Sequence, residues 1–154
     1  MAEAGDIAPD FEVPDQDGNM VRLSGYLGKT VILYFYPRAS TPGCTIEACS
    51  FRDASPDFDA VNAVILGVSP DTPKAQLKFA GRFKLPFRLL ADADHAIAEK
   101  YGVWTEKSLY GRKYMGVDRT TFVIGPDGTI ARVFRKVKIA GHSKEVLQAV
   151  RQAS

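Results

Sequence analysis

Seven consecutive residues, Thr30-Val-Ile-Leu-Tyr-Phe-Tyr36, carry the strongest constraint on how this chain can fold. The run is apolar almost throughout and rich in β-branched and aromatic side chains, without the in–out alternation of a half-exposed strand. It reads as a strand buried on both faces, the kind found in sheets covered on each side. Pro37 ends it, because proline offers no N–H to a ladder. Thr41-Pro42 then reads as a helix N-cap followed by proline at the first helical position. On that register Cys44 is the third residue of the helix, in its first turn.

That position bears on chemistry. The thiolate is the nucleophilic form of cysteine, and the positive end of a helix dipole favours it. Gly43 lets a ligand come close to the N–H groups of the first turn. A free cysteine is more often a small buried hydrophobe. At T-P-G-C, directly after a buried strand, the reactive reading outweighs that one.

The remaining pattern surrounds this unit with alternating strands and helices. Phe11–Pro14 and Met20–Leu23 flank Asp15-Gln-Asp-Gly18 as a short N-terminal hairpin. Phe51, Ala54 and Phe58 mark the inner face of the cysteine helix. Ser55-Pro56 predicts a break there, or a new turn beginning at Pro56. Val64–Ser69 reads as a second buried strand, and Thr72-Pro73 opens a helix to about Phe83 with Leu77, Ala80 and Phe83 inward. Pro86–Ala91 reads as a third strand, followed by a short helix from about Asp94 to Tyr101. Residues 102–118 show no sustained period and are expected to form an ordered surface loop. Arg119–Ile124 and Thr129–Phe134 flank Pro126-Asp-Gly128 as an antiparallel hairpin. Ser143 is expected to cap a last helix with Val146, Leu147 and Val150 inward. The result is one α/β domain over residues 1–154, with a mixed sheet.

Composition excludes several function classes. With 154 residues, 45% hydrophobic and 25% charged, the chain is an ordinary globular protein. A net charge of +2 points to no polyanion. Arg132, Arg135, Lys136 and Lys138 form the one basic cluster, and on a hairpin edge such charges usually protect the edge. No stretch approaches the ~20 apolar residues of a membrane span, and Met1-Ala-Glu-Ala-Gly-Asp6 lacks the basic and apolar regions of a signal peptide. A cytoplasmic protein is expected, where a cysteine pair is more often catalytic than structural. The two cysteines and two histidines lack the paired spacing of a zinc site. Neither a metal nor another cofactor is called for.

With these residues in view, the segment Tyr34–Asp53 resembles the active site of peroxiredoxins. Their motif P-x-x-x-T-x-x-C is met by Pro37, Thr41 and Cys44. C-T-I-E-A-C-S-F-R-D, with Cys49 five residues after Cys44, is similar to the subgroup called peroxiredoxin Q or bacterioferritin comigratory protein. R-T-T-F-V-I matches the strand that carries the family's active-site arginine, here Arg119, and Ala8-Pro-Asp-Phe11 matches its N-terminal entry. The resemblance implies a thioredoxin-like fold, a mixed central sheet flanked by helices with the N-terminal hairpin as an extension. It implies a thiol peroxidase in which Cys44 attacks a hydroperoxide and becomes a sulfenic acid, and Cys49 resolves that acid as an intramolecular disulfide. Thioredoxin or a similar dithiol would then reduce the disulfide.

Within that reading, Thr41 would both cap the helix and bond peroxide oxygen. Arg119 would favour the thiolate and stabilise charge on the leaving oxygen. Pro37 would shield the thiolate from water. Glu47, three residues after Cys44, could support the site, although its charge would oppose a thiolate. Arg38 and Arg52 read as surface charges, and His95 and His142 as solvated or capping residues. A monomer is expected. The competing enzyme reading is a thioredoxin-type thiol–disulfide oxidoreductase, whose cysteines are typically spaced C-x-x-C rather than C-x-x-x-x-C.

Overall fold

The computed structural model describes residues 2–153; Met1 and Ser154, the two ends of the expected domain, lie outside them. The expected buried strand is β3 (Thr30–Phe35). It stands mid-sheet between a parallel neighbour, β4 (Ala63–Ser69), and an antiparallel one, β8 (Thr120–Ile124). Parallel β5 (Arg88–Ala91) extends the sheet beyond β4, and antiparallel β9 (Ile130–Phe134) closes the other edge, giving the order β5-β4-β3-β8-β9.

Burial of β3 on both faces is visible residue by residue. Val31, Leu33 and Phe35 enter one apolar cluster, while Ile32, Tyr34 and the following Tyr36 enter the other. The first cluster is covered by the N-terminal segment and by α3 (Ala96–Lys100). The second is covered by α1 (Pro42–Ala60), α2 (Pro73–Phe83) and α4 (His142–Ala153). A parallel-type core strand therefore delivers the chain at its C-terminal end straight into the helix that carries both cysteines. The N-terminal hairpin pairs β1 (Glu12–Pro14) with β2 (Met20–Arg22). Its turn is fastened by the buried Asp15, which accepts the N–H groups of Asp17 and Asn19 and pairs with Arg88 at 2.8 Å.

Four expectations about the elements need correction. The predicted surface loop over 102–118 is largely a second hairpin, β6 (Trp104–Leu109) and β7 (Arg112–Val117). Tyr110 and Gly111 both adopt positive φ, as a two-residue hairpin turn requires. The hairpin projects with both faces largely open to solvent, so burial imposes no alternation on its sequence. Helix α1 runs unbroken through Pro56. That proline is exposed, and the buried Phe51 and Phe58 hold the helix on either side of the missing hydrogen bond. In α2, Leu77 faces solvent, while Gln76, Phe79 and Ala80 are buried and Phe83 is partly so. Finally, α4 begins at His142, so Ser143 is not its cap. Its hydroxyl meets Ser50 of α1 at 2.7 Å.

His142 is itself buried, not solvated. It lies between Thr121 (2.7 Å from Nε2) and Glu145 (2.6 Å from Nδ1). Burial pushes its pKa down. His95 is half-exposed and stacks on Trp104 with ring centroids 4.1 Å apart.

Candidate active site

Pro42 opens α1 as the sequence predicts, with Thr41 at the N-cap. The first-turn N–H groups of Gly43 and Cys44 have no acceptor within the helix. The Thr41 side chain does not take them: its hydroxyl donates to the Arg38 carbonyl at 2.8 Å. Thr41 therefore begins the helix through its backbone, whose carbonyl accepts from the Thr45 N–H at 2.9 Å and the Thr45 hydroxyl at 2.8 Å. These unpaired N–H groups and the helix dipole leave a site suited to negative charge beside Cys44.

Cys44 is buried, with 1% of its surface exposed. Arg119, at the head of β8, donates from one guanidinium nitrogen to Cys44 Sγ at 3.3 Å and from the other to Glu47 Oε1 at 2.6 Å. One planar fork thus spans nucleophile and carboxylate. Gly43 lies directly beneath it: a Cβ there would be in van der Waals contact with the guanidinium at 3.5 Å and with Ile139 Cδ1 at 3.4 Å. Pro37 is half-buried in the β3–α1 connection. The structure therefore gathers Cys44, Gly43, Glu47 and Arg119 in direct contact, with Thr41 heading the same helix. Arg38 is exposed, and Arg52 donates to the Phe83 carbonyl at 2.8 Å.

Glu47 resolves the conflict between its charge and a thiolate. It is buried, and its second carboxylate oxygen has no hydrogen-bond partner. Burial raises its pKa to about 7, outweighing the opposing pull of Arg119. Near neutral pH a large fraction of Glu47 is protonated, so it can brace Arg119 without presenting a full negative charge to the sulfur. A carboxyl whose folded pKa lies above its unfolded value favours the folded state most below about pH 4.5, and loses that contribution as pH rises toward about 7. Relative to Glu47→Gln, the protein should therefore lose melting temperature between those two pH values. A constant difference across that window would place Glu47 outside this balance.

Cys49 lies five residues along α1 from Cys44. It is half-buried and opens into a groove of about 620 Å³ between α1 and α4, whose walls include Ile46, Asp53 and Lys144. Both thiols are free. Ile139 beside Gly43 was not foreseen. It arrives from the segment between β9 and α4, and no local pattern announces such a contact. The basic cluster sits along the sheet edge, where Arg132 lies 4.5 Å over the Phe134 ring and Arg135 donates to the Ala2 carbonyl at 3.0 Å.

Comparison with known proteins finds relatives over nearly the whole chain. Residues 4–133 match the model of the AhpC/TSA family. The chain is 46% identical to Peroxiredoxin Bcp of Bacillus subtilis over 152 residues, which cover 99% of this chain and 97% of that one. The Xanthomonas campestris bacterioferritin comigratory protein, studied for alkyl peroxide reduction, superposes with a TM-score of 0.92 at 35% identity, covering 99% and 98% of the two chains. Peroxidoxin BcpB of Mycobacterium tuberculosis gives a TM-score of 0.89 at 40% identity over 100% and 99%. The fold is thioredoxin-like, as in these neighbours. Together with the Cys44–Arg119 pairing at the helix terminus, the matches over nearly all of the sequence show that the chain belongs to the AhpC/TSA family, among its Bcp-type peroxiredoxins.

Proposed function

We propose that Cys44 is the peroxidatic cysteine of a thiol-dependent peroxidase acting on hydrogen peroxide and organic hydroperoxides. The observation that carries this reading is the 3.3 Å hydrogen bond from Arg119 to Cys44 Sγ at the N-terminus of α1. The thiolate attacks the terminal peroxide oxygen, the O–O bond breaks, and sulfur is oxidised to sulfenic acid. The other oxygen leaves with the electron pair and a proton as water or an alcohol. Arg119 holds the sulfur's charge before attack and the leaving oxygen's charge as it develops. Thr41 and the free N–H groups of the first turn orient the peroxide, Pro37 limits water at the sulfur, and Gly43 gives access. Cys49 displaces water from the sulfenic acid to form the disulfide, which a thioredoxin or a similar dithiol reduces. The working unit is a monomeric domain in the cytoplasm. None of the helices among the described residues is long and apolar enough to cross a membrane.

Two assays separate this reading from a thioredoxin-type oxidoreductase. With a dithiol present, the protein should consume peroxide catalytically and reduce insulin disulfides poorly. Arg119→Met should slow peroxide consumption by roughly 10²–10³-fold, the scale of losing one preorganised charge stabiliser. The opposite preference, or an Arg119→Met variant as fast as the unsubstituted protein, would overturn it.

A further inference from the structure

The loop between β3 and α1 sets the position of Thr41 and so of the helix terminus, yet it is held from outside the site. Beyond Tyr36, Ser40 adopts φ 64°, an unfavourable conformation for a residue other than glycine. Such strain persists where the surroundings over-determine it. Here the surroundings are a hydrogen-bonded relay that starts and ends on this loop. The Tyr36 hydroxyl donates to Gln76 Oε1 at 2.6 Å. Gln76 Nε2 donates to Ser69 Oγ at 2.8 Å and to the Leu90 carbonyl at 2.9 Å. The Ser69 hydroxyl donates to Asp71 Oδ2 at 2.6 Å, and the same oxygen accepts the Ala39 N–H at 2.8 Å.

Tyr36, Ser69 and Gln76 are each at most 1% exposed, so the polar chain runs through the core. Its donors all point one way, from the tyrosine toward the carboxylate, an arrangement in which each bond polarises the next. Burying three polar side chains is costly unless all are satisfied. The sheet and α2 could be closed with apolar residues at these positions. What the relay provides beyond packing is a clamp on both sides of Pro37, at residues 36 and 39.

We infer that Asp71, backed by Ser69, Gln76 and Tyr36, is a positioning residue for peroxide reduction: through the Ala39 N–H it fixes the Pro37–Thr41 loop, and with it the geometry that receives the peroxide beside Cys44. The inference rests on the peroxidase reading above. It separates two properties of Cys44. Reaction with a peroxide needs oxygen-binding groups in register with the sulfur. Alkylation by iodoacetamide needs only an accessible thiolate.

The test compares the second-order rate constants for hydrogen peroxide and for iodoacetamide, measured in a Cys49→Ser background so that only Cys44 reacts. Asp71→Ala should lower the peroxide constant about tenfold or more while alkylation stays within about threefold, since small misplacements of reacting groups are amplified in rate. Asp71→Asn keeps an oxygen that can accept both bonds and should restore the peroxide constant. Ser69→Ala cuts the relay one bond back and should give a smaller loss of the same kind; it carries the same criteria should Asp71→Ala not fold. Three results would overturn the inference: an unchanged peroxide constant, equal losses in both reactions, or an Asn variant as slow as the Ala variant. Failure of the protein with unsubstituted Asp71 to react with peroxide would instead overturn the peroxidase reading, and the inference with it.

Discussion

Cys44→Ser is expected to abolish peroxide reduction entirely, whereas Cys49→Ser should reduce about one equivalent of peroxide and then stop. The asymmetry follows from where the two thiols sit on one helix. Cys44 lies in the first turn against Arg119, while Cys49 lies more than a turn further on, facing the α1–α4 groove. Of the two, it is Cys44 whose sulfur accepts a hydrogen bond from a guanidinium and lies beside the free first-turn N–H groups, which together support a thiolate and a departing oxyanion. Without Cys49 the sulfenic acid has no partner within the helix. It should persist, be trapped by a dimedone-type reagent, or climb to sulfinic acid with excess peroxide. Mass spectrometry of each variant after one and after ten equivalents reads the outcome directly. Equal loss of the first turnover in both variants would overturn the division of labour.

The second large effect concerns the helix itself. Helix α1 is continuous from Pro42 to Ala60, with both thiols free. In a regular helix, residues five apart are separated by a rise of ~7.5 Å and a net rotation of ~140°, which puts their Cα atoms about 8.7 Å apart. A disulfide requires no more than ~7 Å and converging Cβ vectors. The bond cannot form on the wound helix. We expect amides 45–53 to be protected from hydrogen exchange in the reduced protein and to exchange orders of magnitude faster once the Cys44–Cys49 bond is made. Thr45 and Ile46 are β-branched and contribute little resistance to unwinding. Equal and strong protection in both forms, with the bond confirmed by mass spectrometry, would sink the idea.

How far these features could be read from sequence depended on whether their cause was local. Thr30–Tyr36 announced a core strand because burial on both faces leaves only aliphatic and aromatic side chains after Thr30. Cys44 could be placed in a first turn because Thr41-Pro42 fixes the start of the helix through the backbone. The side-chain cap expected of Thr41 is not formed: its hydroxyl oxygen accepts neither first-turn N–H, and its proton goes to the Arg38 carbonyl. The β6–β7 hairpin escaped notice because it stands off the core, so that its alternation is not written in hydrophobicity. Arg119 was located through family resemblance alone, and its grip on Glu47, 72 residues away in sequence, comes from the pairing of β8 with β3. The same holds for Asp71 and Ala39, 32 residues apart, which meet only because β4 lies parallel to β3. Chemistry assembled across a sheet has no period in the sequence.

The proline inside α1 acquires a meaning once the helix is seen as something that must come apart and reform. Pro56 has no N–H to give to the Arg52 carbonyl, so the hydrogen-bond ladder already has a rung missing near its far end. Unwinding that starts at Cys44 travels by loss of successive rungs, and it meets this gap before it reaches the last turn. Phe58 keeps that turn seated in the core. A helix that had melted completely would have to pay the cost of nucleation on every catalytic cycle. One that keeps a seated stub rewinds by simple elongation, a matter of nanoseconds per residue, so the restoring of the peroxide-binding form need never be the slow step after the disulfide is reduced.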